Sequence, residues 1–96
     1  MSENINDNRR LPLGRVCLAA SAMEVLQNND IAKALLRHST GDWGEGVSKA
    51  DWELNNHALK NDERVLSIYS SVSGVRFWVL TEADRSYTTI LLPNDY

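Results

Sequence analysis

Ninety-six residues, 43% of them apolar and 24% charged, suit one hydrophobic core of ordinary globular composition and exclude two domains or a wholly disordered chain. The longest apolar runs, such as 16–20, fall far short of the roughly 18 residues of a membrane span. A net charge of −3 argues against direct nucleic-acid binding, which calls for a basic stripe.

Residues 1–10 hold almost no apolar side chains and read as a disordered tail, leaving 11–96 as a single domain. Residues 15–19 fit a short first strand. Ser21 is a candidate helix N-cap with Glu24 at the capping-box position, and Asn28-Asn29 stops that helix. Asp30 is placed to cap a second helix, in which Ile31, Ala34, Leu35 and His38 share one face. Arg37 and His38 occupy its last turn, where positive charge suits the helix dipole. The segment Gly41-Asp42-Trp43-Gly44-Glu45-Gly46 reads as a structural corner, its glycines permitting positive φ and Trp43 folding back into the core. Ser48 caps a third helix with Asp51 at the box position, and Asn61-Asp62 ends it.

The remaining chain is β. Strands are expected at 65–70, 75–80 and 87–92, joined by Ser73-Gly74 and by the polar turn 81–86, with Pro93 closing the last one. Three strands in short succession make a meander, with the first strand free to add at its edge. The expected fold is α+β: about three helices packed on one face of a three- to four-stranded antiparallel sheet. Leu18, Leu26, Leu35, Leu66, Ile68, Phe77, Trp78, Val79, Ile90 and Leu91 are the expected core.

Chemistry-bearing motifs are sparse. His38 and Asp42 have a spacing that suits a shared metal only if the helix continues through Gly41, and no Cys-x-x-Cys or His-Glu-x-x-His pattern exists. No metal or cofactor is expected. Cys17, the one cysteine, lies in an apolar strand where thiols are inert. The glycine-rich loop lacks the Lys-Ser/Thr of a P-loop and carries carboxylates that repel anions. No nucleophile elbow occurs, and no catalytic residues are assigned. His38 reads as a helix-terminal residue. Glu82, Asp84 and Arg85 form either a solvated turn or, through Arg85, a link to the third helix.

The charge is uneven. Asp42, Glu45, Asp51, Glu53, Asp62 and Glu63 crowd the middle of the chain against Lys49 and Lys60. Such a region is a candidate docking surface for a basic partner, with Trp43 or Trp52 as anchors.

Gly41-Asp42-Trp43-Gly44, then Asp51 and Asn55, then 64–69 and the ending 77–96 with its Trp-Val-Leu-Thr-Glu-Ala-Asp-Arg-Ser segment, resemble a family of small bacterial proteins of plasmids, phages and integrated elements. Some members carry a label linking them to the modification subunit of type I restriction systems. That activity needs a cofactor-binding α/β domain larger than this chain. The resemblance implies a mobile-element setting, where small acidic proteins such as anti-CRISPR inhibitors protect the element from host defence.

The expectation is therefore a non-enzymatic, cytoplasmic inhibitor that binds a host defence protein, a CRISPR effector or another nuclease, through Asp42, Trp43, Glu45, Asp51, Trp52, Glu53, Asp62 and Glu63. The absence of a basic-then-apolar leader supports the compartment. The alternatives are a structural or regulatory homodimer and a small hydrolase using Asp84 or His38.

Overall fold

The computed structural model describes residues 10–96, so the expected N-terminal tail lies almost wholly outside the described residues. Four strands and three helices follow in the order β1 (Arg15–Leu18), α1 (Ala20–Val25), α2 (Asn28–Ser39), α3 (Lys49–Asn61), β2 (Val65–Ser70), β3 (Arg76–Thr81) and β4 (Tyr87–Leu91). A short 3-10 turn, Pro93–Asp95, follows β4. Among the described residues no helix is long and apolar enough to cross a membrane.

The fold is α+β, but the sheet is mixed rather than antiparallel. Its order is β1-β4-β3-β2, with β1 parallel to β4 and the other neighbours antiparallel. The reason is the crossover. Parallel strands need a long connection, and α1 to α3 supply one, returning the chain to the end where β1 began. In consequence β2 runs in the direction of β1, and after two reversals, through β3, so does β4.

Local chemistry moves two helix starts. α1 begins at Ala20 with no side-chain cap, because the Ser21 hydroxyl is bonded to Asp95 instead. α2 begins two residues before Asp30. Asp30 closes its capping box by accepting from the Gln27 N–H at 3.2 Å, and its other oxygen holds the Val72 N–H at 3.0 Å. α3 starts as expected, Ser48 Oγ accepting from the Asp51 N–H at 3.1 Å. It ends at Asp62 in the left-handed region.

Strand alternation sends Val65, Ser67, Tyr69, Phe77, Val79, Thr81, Thr88 and Ile90 to the helix side, where all are buried. Two apolar clusters form there. One gathers Ala22, Leu26 and Ala34 on Tyr69, Phe77, Val79 and Ile90, and the other gathers Leu11, Trp43 and Ala58 on Val65. Leu66, Ile68 and Trp78, expected in the core, point to the opposite face and are only half-buried. Leu80 and Leu91 share that face at 6% exposure each.

The two edges of the sheet differ. At β2 the outward backbone groups are taken. Asn55 of α3 donates to the Leu66 carbonyl at 2.7 Å and accepts from its N–H at 3.3 Å, imitating a neighbouring strand. Ile68 bonds the Trp43 carbonyl and the Gly46 N–H, and the Ser70 N–H bonds Glu45. Gly44 (φ 98°) makes this approach possible, since a Cβ there would overlap the Ile68 carbonyl. At β1 the N–H groups of Arg15 and Ala19 point inward to β4. By alternation those of Val16 and Leu18 point outward, and no described residue pairs with them.

Asn55→Ala removes both bonds to Leu66 and should lower unfolding free energy by about 1–3 kcal/mol, read as a lower urea midpoint at unchanged slope. A stability equal to wild type removes the edge-blocking role.

Candidate functional site

The expected binding residues are not brought to a single face. Asp42 is bonded at both oxygens by Arg37, Nε to Oδ2 at 2.8 Å and Nη2 to Oδ1 at 3.1 Å. The same guanidinium reaches Glu45 at 3.2 Å and lies 4.6 Å over the Tyr69 ring. The Tyr69 hydroxyl in turn donates to the Asp42 carbonyl at 2.6 Å. Arg37 therefore neutralises the glycine-rich corner and fastens it to α2 and β2, and its hydrogen bonds, reinforced by its charge, hold the Asp42 carboxyl below the usual range. Trp43 is 0% exposed, its Nε1–H donating to Asn56 at 2.9 Å, so its ring is not offered to a partner in this conformation. Trp52 is half-buried against the second apolar cluster.

Asp51, Glu53, Asp62 and Glu63 remain exposed on α3 and its end. At about 100° per residue, Asp51 and Glu53 project from nearly opposite sides of the helix. Asp51 borders an apolar groove of about 240 Å³ with Val47, Leu54, Leu66 and Ile68. Asp62 has one described cation near it, Arg85 at 4.0 Å.

Arg85 resolves the polar turn. It adopts φ 62°, and its guanidinium donates to the backbone carbonyls of Glu63 at 2.6 Å, Ala58 at 3.0 Å and Glu82 at 3.3 Å. It thus binds the carbonyl end of α3, where positive charge is favourable, to the β3–β4 turn. Asp84 accepts from the Ser86 N–H at 2.9 Å within its own turn. The hydrolase candidates are apart, Asp84 exposed and His38 enclosed.

His38 sits in the seam between the two apolar clusters, 0% exposed, with the Trp43 ring edge-on at 5.8 Å. Its Nδ1 is 2.6 Å from Ser67 Oγ and its Nε2 is 2.8 Å from Thr81 Oγ1. Thr81 Oγ1 is 2.6 Å from Thr88 Oγ1, and Thr88 donates to the Leu13 carbonyl at 2.7 Å. That last carbonyl can only accept, which orders every proton in the chain. Thr88 gives its hydrogen to Leu13, Thr81 gives its own to Thr88, and the proton of His38 is on Nε2. Nδ1 then accepts from Ser67. Burial, reinforced by the Arg85 charge, pushes the imidazole down to about 3, so it is neutral at pH 7. The Cys17 thiol is half-buried in β1. Among the described residues no three His, Cys, Asp or Glu side chains gather to hold a metal.

The face away from the helices holds side chains that sequence reasoning assigned to the core or passed over. Trp78 and Tyr96 meet there, ring centroids 5.5 Å apart. Arg64 lies 5.8 Å from the Tyr96 ring and donates to its hydroxyl. These three line a cavity of about 200 Å³ with Leu66 and Leu80. The signal for this face was the adjacent pair Phe77-Trp78, which alternation must send to opposite sides. Comparison with protein-family models, curated proteins and solved structures finds no match.

Because unfolded histidine takes up a proton near pH 6.5 and buried His38 does not until about pH 3, stability is lost as pH falls through that interval. The loss should reach about 2–3 kcal/mol between pH 6.5 and 4.5, with the depressed Asp42 and Glu45 carboxyls adding to it at the acid end. Urea titrations at several pH values check it. His38→Gln should flatten the dependence, and an unchanged slope in that variant would assign it elsewhere.

Proposed function

We propose that the protein is a non-enzymatic inhibitor carried by a mobile element, binding a host defence protein such as a CRISPR effector or another nuclease. The acidic contact is narrower than the sequence suggested. The candidates left are Asp51 and Glu53, on nearly opposite sides of α3, and Asp62 and Glu63 at its end, since Asp42 and Glu45 are held by Arg37. The observation that carries the reading is that these four carboxylates are solvent-exposed and that, among the described residues, only Asp62 has a cation within 4.0 Å, Arg85, while Lys49 and Lys60 stand on the same helix. Unspent negative charge on a helix at the sheet edge suits a basic, nucleic-acid-binding groove, and electrostatic steering would speed the encounter.

Wild type and the Asp51→Lys/Glu53→Lys variant, immobilised and exposed to host lysate at low and high salt, provide the test. A nuclease captured at low salt, released at high salt and lost in the variant supports the reading. Capture that the charge reversal leaves unchanged overturns it.

One observation favours the homodimer as a second reading, namely the edge of β1, whose outward N–H groups no described residue pairs. Unpaired N–H groups on a strand edge are a template for another strand. Two copies joined at β1 would make one continuous sheet. Sedimentation equilibrium should then give twice the chain mass, reduced to one by Val16→Pro, whereas a monomer at all concentrations removes it.

A further inference from the structure

We propose that the sheet face that none of the described helices α1 to α3 covers binds single-stranded nucleic acid, seating a base in the cavity of Trp78, Tyr96 and Leu66 and holding phosphates on Arg64, Arg76 and Arg15. The proposal does not rest on the acidic contact. It comes from reading the strand register across the sheet. Arg15, Tyr87, Glu82 and Arg64 form one outward row; Cys17, Thr89, Leu80 and Leu66 form the next; Leu91, Trp78 and Ile68 the third; Arg76 and Ser70 the last.

Three features of these rows converge. The first is charge. Three arginines face outward against two carboxylates, half-buried Glu82 and, at the β2 edge beside Leu66 and Ile68, Asp51, so this face is positive on balance on a chain whose sum is −3. The acids responsible for the negative sum stand mainly on the helices and loops. The second is the chemistry of the outer layer. Leu80 and Leu91 are only 6% exposed on this face, where the C-terminal turn packs against β3 and Tyr96 meets Trp78. The groups actually offered outward are rings and guanidinium groups: Tyr96 at 68% exposure, Tyr87 at 42%, half-buried Trp78, and the arginines. Flat rings with cations beside them form a stacking platform for bases, every one of which has a π face.

The third feature is size and spacing. The cavity of about 200 Å³ lined by Arg64, Leu66, Trp78, Leu80 and Tyr96 has apolar walls and a cation at its rim, which suits one planar base with its phosphate outside. Strand spacing puts Arg15 and Arg64 about 14 Å apart, and strand rise puts the rows of Arg64 and Arg76 about 20 Å apart. Those separations match a few nucleotides of extended single strand. A second copy docked on this face would set arginines against arginines. An acidic protein segment would satisfy the charge but leave the stacking surfaces without a use.

The test is fluorescence anisotropy with fluorescein-labelled 12-mers of deoxythymidine and of uridine, in low salt, alongside a 12-bp DNA duplex and a poly-glutamate competitor. Binding of either 12-mer should weaken about tenfold or more in Tyr96→Ala and in Arg64→Ala, as expected for losing one stacked base or one phosphate contact. Both side chains are exposed, so circular dichroism should match wild type. Binding should fall with salt at a logarithmic slope of about −2, from three phosphates on a single strand. Intrinsic tryptophan emission should be quenched on binding, and Trp78→Phe should remove the quench and weaken the binding.

A stronger uridine arm assigns RNA and a stronger thymidine arm assigns DNA. Absence of binding at about 100 μM protein, where non-specific binders are captured, overturns the proposal. So does affinity that both surface variants leave unchanged. Equal displacement by poly-glutamate without recovery of tryptophan emission would also overturn it and point to an acidic protein partner.

Discussion

A neutral histidine at the centre of the helix side holds the architecture together. His38 is the place where α2 meets β2 through Ser67 and β3 through Thr81, and where the relay continues to β4 at Thr88 and to the entering segment at Leu13. A buried polar group is costly unless each of its hydrogen-bonding atoms is satisfied. Here both ring nitrogens are, and the tautomer follows from the single carbonyl at the end of the chain. A shift of the sheet by one residue would turn Ser67 and Thr81 outward and leave the imidazole unpaired. The network therefore penalises wrong registers more than an apolar side chain in the same seam would.

Fixing the register on the helix side determines what the other side presents. The helices cover one face, and α3 with the glycine-rich corner blocks the β2 edge. Arg37 and Arg85 support that arrangement from opposite ends, the first by closing the corner onto α2 and Tyr69, the second by tying the end of α3 to the β3–β4 turn. Both use arginine's planar fork, which meets several acceptors at once. The side chains that look most functional in the sequence are largely consumed by this work. Asp42, Glu45, Trp43, His38 and Arg85 all have structural partners. What the described residues leave without such partners is the ridge of α3, the edge of β1 and the face containing Trp78.

The sequence was informative where local chemistry decides and less so where topology does. Ser48 capping α3, Asp62 ending it and the strands at 65–70 and 87–91 follow from capping and alternation, which short windows reveal. Arg85 was legible only as a choice between a turn and a link to α3, because its partners are backbone carbonyls far away in the chain. The parallel pairing of β1 with β4 depends on where a crossover of three helices returns the chain, and no local pattern encodes that. Trp78 was assigned to the core because hydrophobicity alone does not say which face of a sheet the helices will cover. Trp43 was named as an anchor since tryptophan in a glycine-rich loop suits a surface as well as a core, and the Asn56 partner that holds it inside lies a full helix away.

Net charge misleads here for a related physical reason. A sum of −3 describes the field many ångströms away, whereas a ligand at the surface feels groups within about one Debye length, roughly 8–10 Å. Carboxylates paired with Arg37 contribute little to that near field, and those on α3 act mainly on their own side of the molecule. The outward rows of the sheet present Arg15, Arg64 and Arg76, opposed by Glu82 among them and by Asp51 at the β2 edge. The inference from total charge to partner, sound for a uniformly charged surface, fails when the fold separates the signs. Alternation along the strands performs that separation by sending Arg76 outward with Trp78 while Phe77 turns inward to the helices.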